Sequence, residues 1–105
     1  MKINTKIDKG NWIEWEDGVK FLLRPYPVSQ MRISDKLELQ MEQMLKMFKY
    51  CVINWEGLVG EDDNPIPCND KMKQYIFDHF NDIRDFVSES ITKSIGAEGR
   101  ELGNS

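Results

Sequence analysis

The chain has 105 residues and a formal net charge of −4, enough for one domain and too few for two ordinary ones. Hydrophobic residues make up 40% and charged residues 30%, a balance that favours a thin but real core over disorder. It carries neither an apolar run long enough to span a bilayer nor an apolar stretch after MKINTKIDKG of the kind a secretory signal needs. The expected location is therefore the cytoplasm.

Charge is unevenly spread. Residues 50–70 hold Glu56, Glu61, Asp62, Asp63 and Asp70 with no Lys or Arg, while the first 36 residues hold seven basic and five acidic side chains. A nucleic-acid binder normally presents a basic face, so direct nucleic-acid binding is not expected. The acidic stretch is either a solvated connection or an attractor for a basic partner.

Residues 1–10 are polar and expected to be loosely held, with Ile3 and Ile7 as tethers. Residues 11–95 are expected to form one α+β domain, and 96–105 a flexible tail. The domain opens with Asn11–Glu16, Asp17-Gly18 and Val19–Arg24. Asp-Gly between two β-prone runs predicts a tight hairpin, because both residues tolerate the positive φ of a primed turn. Val19, Phe21 and Leu23 then share one face. Trp12 and Trp15 have two readings: an exposed aromatic contact patch, or one ring packed on the helices and the other covering a hairpin edge.

Pro25-Tyr26-Pro27 ends the second strand. Residues 28–33 read either as a helical turn opened by Ser29 or as a third short strand around Met31-Arg32-Ile33. Asp35 with Glu38 resembles a capping box. Leu37, Met41, Met44, Phe48, Cys51, Val52 and Trp55 then recur at three- and four-residue steps, predicting an amphipathic helix of about 20 residues that ends at a left-handed Gly57. Met41, Met44 and Met47 give this helix either an adaptable binding surface or ordinary core filling.

The connection from Leu58 to Cys68 is long for so small a protein. Leu58 and Val59 are expected to fold back, and Pro65-Ile66-Pro67 to pin Ile66 onto the core. Asn69 or Asp70 caps a second helix, and Asn81 or Asp82 opens a third, which Gly96 ends. The expected fold is thus α+β: an N-terminal β-hairpin, extendable to three strands, packed on three α-helices, one long and two short.

No reaction centre emerges. Glu61-Asp62-Asp63-Asn64 lacks the alternating ligands and central glycine of a calcium loop. Cys51, Cys68 and His79 are too widely spaced for a paired zinc motif. Cys68 beside acids is a poor candidate nucleophile, and there is no glycine-rich phosphate loop. The expectation is a non-enzymatic protein with no cofactor and no metal, its two cysteines reduced.

One resemblance bears on function. Phe48-x-Tyr-Cys-Val-x-x-Trp55-Glu56-Gly57-Leu-Val, the acidic loop, and Pro65-Ile66-Pro67-Cys-Asn69 together resemble a pattern in small tail-assembly-chaperone-like proteins of tailed bacteriophages and prophages. Asp17-Gly18-Val-x-Phe21-x-Leu23-Arg24 resembles their N-terminal hairpin. Asn64 departs from the pattern, standing where that loop carries glycine. The resemblance implies a non-enzymatic protein of the bacterial host's cytoplasm that binds a tape-measure or tail-tube protein during assembly. The residues assigned to such binding are Met41, Met44, Met47, Trp12 and Trp15. The alternative partner is a host defence nuclease, inhibited in anti-CRISPR fashion by a carboxylate surface of Glu56, Glu61, Asp62, Asp63 and Asp70 in its nucleic-acid groove.

Overall fold

The computed structural model describes residues 1–3 and 5–94; the expected tail at 96–105 lies outside the described residues. Three strands, β1 (Asn11–Glu16), β2 (Val19–Leu23) and β3 (Val52–Glu56), form an antiparallel sheet in the order β1-β2-β3. Three helices, α1 (Leu37–Cys51), α2 (Asp70–His79) and α3 (Asn81–Ser94), contact one another and cover one face of it. The fold is the expected α+β arrangement of sheet and three helices. Within residues 1–10 the chain makes a 3-10 turn at Ile7–Lys9.

The hairpin forms where Asp17-Gly18 predicts it, with Glu16 opposite Val19 and Ile13 opposite Phe21. Its turn is not the primed kind, because Gly18 takes a positive φ of 78° and Asp17 does not. A β-bulge between Glu14 and Glu16 accompanies it, the usual partner of such a turn. Val19, Phe21 and Leu23 face the helices as expected, and Phe21 sits at the centre of an aromatic cluster. Its ring lies 6.5 Å from Trp15, 6.4 Å edge-on from Trp55 and 6.2 Å from Phe86, within the range of favourable aromatic pairs.

The long helix is shorter than its periodicity predicts. It ends at Cys51, and residues 52–56 pair with β2 as the third strand. The spacing of Val52 and Trp55 looked helical for a specific reason. Leu22 pairs with Asn54 and Leu23 with Val52, so Ile53 is an extra residue in the β3 ladder. A bulge resets the alternation of a strand, and it puts two residues three apart, Val52 and Trp55, into the same core. The third strand is therefore here, not at Met31–Ile33; residues 28–30 make a 3-10 turn and 31–33 no regular element.

The switch from helix to strand leaves no orphan carbonyl at the helix end, where the last four C=O groups have no intrahelical partner. The Phe48 carbonyl accepts from the Val52 N–H. Lys73 Nζ donates to the Lys49 carbonyl at 3.0 Å, Arg24 Nε to that of Tyr50 at 2.8 Å, and the Arg24 N–H to that of Cys51 at 2.9 Å. Both side chains are cations at the negative end of the helix dipole. Arg24 also stacks 3.9 Å from the Tyr50 ring.

Gly57 is left-handed as expected, at φ 89°, but it ends the strand rather than the helix. A Cβ there would clash with the Gly18 carbonyl oxygen. Two turns thus meet backbone to backbone, which only glycine permits. The start of α1 also differs from expectation. Its N-cap is Lys36 with no side-chain cap; Ser34 Oγ accepts from the Lys36 N–H at 3.1 Å, and Gln40 Nε2 donates to the Ser34 carbonyl at 2.7 Å. At α2 the expected cap is present, with Asn69 Oδ1 accepting from the Met72 N–H at 2.9 Å.

Candidate protein-binding surfaces

Three separate surfaces hold the residues singled out from sequence. The first is the projecting half of α1. All of Leu37 to Glu42 is exposed, whichever side of the helix a residue occupies. This half reaches past the core that receives Phe48 and Cys51. Leu37 is 71% exposed, and Ile33, in the segment leading to it, is fully so. Of the three methionines, Met41 belongs to this exposed half, whereas Met44 and Met47 pack against the core.

The second surface is the face of the sheet turned away from the helices. The two tryptophans part here. Trp15 points inward between Phe21 and Phe86, while Trp12 stays exposed with the Lys20 ammonium 5.0 Å above its ring. Lys20 also bonds Glu56 across the sheet at 3.3 Å, with both side chains about half exposed, where such a pair adds little stability.

The third surface is the connection from Gly57 to Asn69. The acidic stretch is a compact, ordered turn. Val59 bridges to Pro65, the Ile66 N–H donates to the Leu58 carbonyl, and the Gly60 N–H to that of Asn64. Asp62 accepts from both the backbone and the side-chain amide of Asn64, at 3.1 and 2.9 Å. Those bonds favour the charged carboxylate and hold its pKa below the ordinary value. Asp63 takes φ 64°, a left-handed conformation that Asp tolerates better than most residues. Among the described residues none of Glu61, Asp62 and Asp63 is in an ion pair. The return limb is tied to β3: Trp55 Nε1 donates to the Ile66 carbonyl at 2.8 Å, and Ile66 packs on the core as its flanking prolines suggested.

The chemistry-bearing side chains remain apart. Cys51 and Cys68 are free thiols. Burial pushes Cys51 up to about 12, against a smaller opposing effect of Arg24, and burial also raises Cys68, opposed by Lys73. Both therefore stay protonated near neutrality, where a thiol is a weak nucleophile. His79 lies against the Tyr75 ring at 4.7 Å. Among the described residues no three His, Cys, Asp or Glu side chains are placed to hold a metal ion, and no helix is long and apolar enough to cross a membrane.

Sequence reasoning missed the exposure of Leu37 and Leu39 on α1, and the convergence of Val59, Tyr75 and Phe80 beside the acidic turn. Periodicity identifies apolar residues but not which of them a neighbouring element covers. Comparison of the chain with protein-family models, with curated proteins and with solved structures gave no match.

Proposed function

We propose that this chain is a non-enzymatic protein-binding module of a tailed bacteriophage or prophage. It acts in the cytoplasm of the bacterial host as a tail assembly chaperone, holding a tape-measure or tail-tube protein until assembly. The observation that carries the reading is the projecting half of α1. Ile33, Leu37, Leu39 and Met41 expose large apolar side chains on or just before it, Leu37 and Met41 one turn apart on the same face, and exposed apolar surface on a small protein commonly marks an interaction site. A partner's apolar helical segment fits there by laying its own stripe along Leu37 and Met41. The motif resemblance around Trp55-Glu56-Gly57 supplies the partner class.

The test is co-expression with the tape-measure and tail-tube proteins of the same phage genome. A soluble complex with either is expected, lost in the Leu37→Ser/Met41→Ser double variant, which leaves the fold intact because neither side chain is in the core. Absence of a complex with the unaltered chain refutes the reading.

The acidic turn supports a second reading, inhibition of a host defence nuclease through its nucleic-acid groove. Its support is the grouping of Glu61, Asp62 and Asp63 at one exposed tip without ion-pair partners among the described residues. Lys substitution at Asp62 and Asp63 separates the two readings: it abolishes nuclease binding in the second and leaves chaperone binding intact in the first.

A further inference from the structure

A groove lies between the 57–69 connection and the corner where α2 meets α3. Val59, Ile66, Met72, Tyr75, Phe80 and Ile83 line it, around about 150 Å³ of space. Apolar space of that size admits a benzene-sized group. Its rim is formed by large apolar side chains left half in solvent: Val59 is 52% exposed, Tyr75 52% and Phe80 47%.

These walls are held in place. The bridge to Pro65 fixes Val59, and the Ile66-to-Leu58 hydrogen bond closes the same turn. Tyr75 makes tilted ring contacts with both His79 and Phe80, with the Phe80 ring 6.1 Å away. Phe80 is the single residue between α2 and α3, and its N–H is bonded to the Ile76 carbonyl. Binding there would need little ordering of the groove, which favours affinity.

The adjoining connection is of one sign: from Gly57 to Asp70 the chain carries Glu61, Asp62, Asp63 and Asp70 and no Lys or Arg, while Lys71, Lys73 and Arg84 lie on the helices, Arg84 turned to the Phe77 carbonyl and Asp85. Lys73 is engaged with the Lys49 carbonyl, and Asp70 with the Lys49 ammonium at 3.2 Å. The acidic tip starts two residues beyond Val59, and Asp82 adjoins Ile83. An apolar slot with an acidic tip beside it complements an apolar side chain flanked by cations.

We propose that this groove docks a short segment of a partner protein. The segment inserts one aromatic or long aliphatic side chain between Tyr75 and Phe80 and sets flanking Lys or Arg against the Glu61–Asp63 tip. The site is distinct from α1 and does not depend on the chaperone reading.

The experiment selects binders to the whole chain from an mRNA-displayed library of random short peptides, then measures them against variants. The expected consensus is one large apolar residue with Lys or Arg beside it. Replacing that residue by Ala in the peptide weakens binding by about tenfold or more, and so does Tyr75→Ala in the protein. Glu61→Lys with Asp63→Asn weakens binding and flattens its salt dependence. Leu37→Ser/Met41→Ser leaves it unchanged, which keeps this result separate from the chaperone test. Circular dichroism of each variant confirms the fold; should Tyr75→Ala unfold, Tyr75→Ser and amide shifts of the unaltered chain on peptide addition locate the site. The proposal is overturned by three outcomes: no enriched consensus, peptides that bind the Tyr75 variants equally well, or a dimer of the unaltered chain dissolved by Tyr75→Ala, which would assign the groove to a second copy.

Discussion

The two halves of α1 share one apolar stripe and have opposite fates. In the C-terminal half Phe48 and Cys51 are fully buried, Phe48 packs edge-on against Phe77 at 5.6 Å, and every terminal carbonyl has a partner. In the N-terminal half Leu37 and Met41 lie on the same stripe, yet no residue of that half is buried and the end carries no side-chain cap. The stripe records where apolar groups can face. Whether they are covered depends on what else the chain brings there. The core residues of β2, β3, α2 and α3 gather around Phe48 and Cys51, whereas Leu37 to Glu42 stay exposed.

Truncating a side chain in each half tests the difference between them most strongly. Phe48→Ala should destabilise by about 3–5 kcal/mol, the range for a buried aromatic. Leu37→Ala should stay within about 0.5 kcal/mol. Urea denaturation of the two variants side by side is the measurement, and equal losses would show that the first half is covered in solution.

Next in size is the junction beyond β3. Gly57→Ala should cost about 2–4 kcal/mol, since it combines a positive φ with a Cβ driven into the Gly18 carbonyl. Gly60→Ala, where φ is not positive and the nearest contact is the flexible Asp62 side chain, should cost clearly less. Thermal melts of the pair separate a required glycine from an incidental one.

The last effect is the pH dependence set by Cys51, which is absent at neutral pH and confined to the alkaline range. Its pKa is raised in the folded chain, from 9.0 to about 12, so the unfolded chain loses its thiol proton first. Stability from this group is complete below pH 9, declines as pH rises from there towards 12, and is flat beyond. Unfolding free energies compared with those of Cys51→Ala should diverge less as pH rises through that window. A constant difference would mean that the thiol is hydrated, and that the helix end is less tightly closed than its hydrogen bonds indicate.

Much of the fold was legible from local rules. Asp17-Gly18 marked the hairpin, Asn69 the start of α2, and Pro65-Ile66-Pro67 the docking of Ile66, because each depends on backbone preferences of the residues themselves. The strand at 52–56 was not legible. The bulge at Ile53 gives Val52 and Trp55 a helical spacing, and no glycine or proline separates α1 from β3. The candidate surfaces divided in the same way. Glu61, Asp62 and Asp63 were identifiable as a cluster because they adjoin in sequence. The groove beside them draws Val59 from one element and Tyr75 and Phe80 from another, so no stretch of sequence contains it.

By itself, then, the sequence determined the α+β class, the hairpin, the phase of β2 and the three helical segments, all consequences of turn chemistry and periodicity acting over a few residues. Tertiary structure decided where α1 stops. The open edge of β2 offered backbone partners to residues 52–56, and Arg24 and Lys73 supplied donors for the carbonyls the helix would otherwise leave unpaired. It also decided which apolar residues stay uncovered, since coverage is a property of neighbours brought together by the fold.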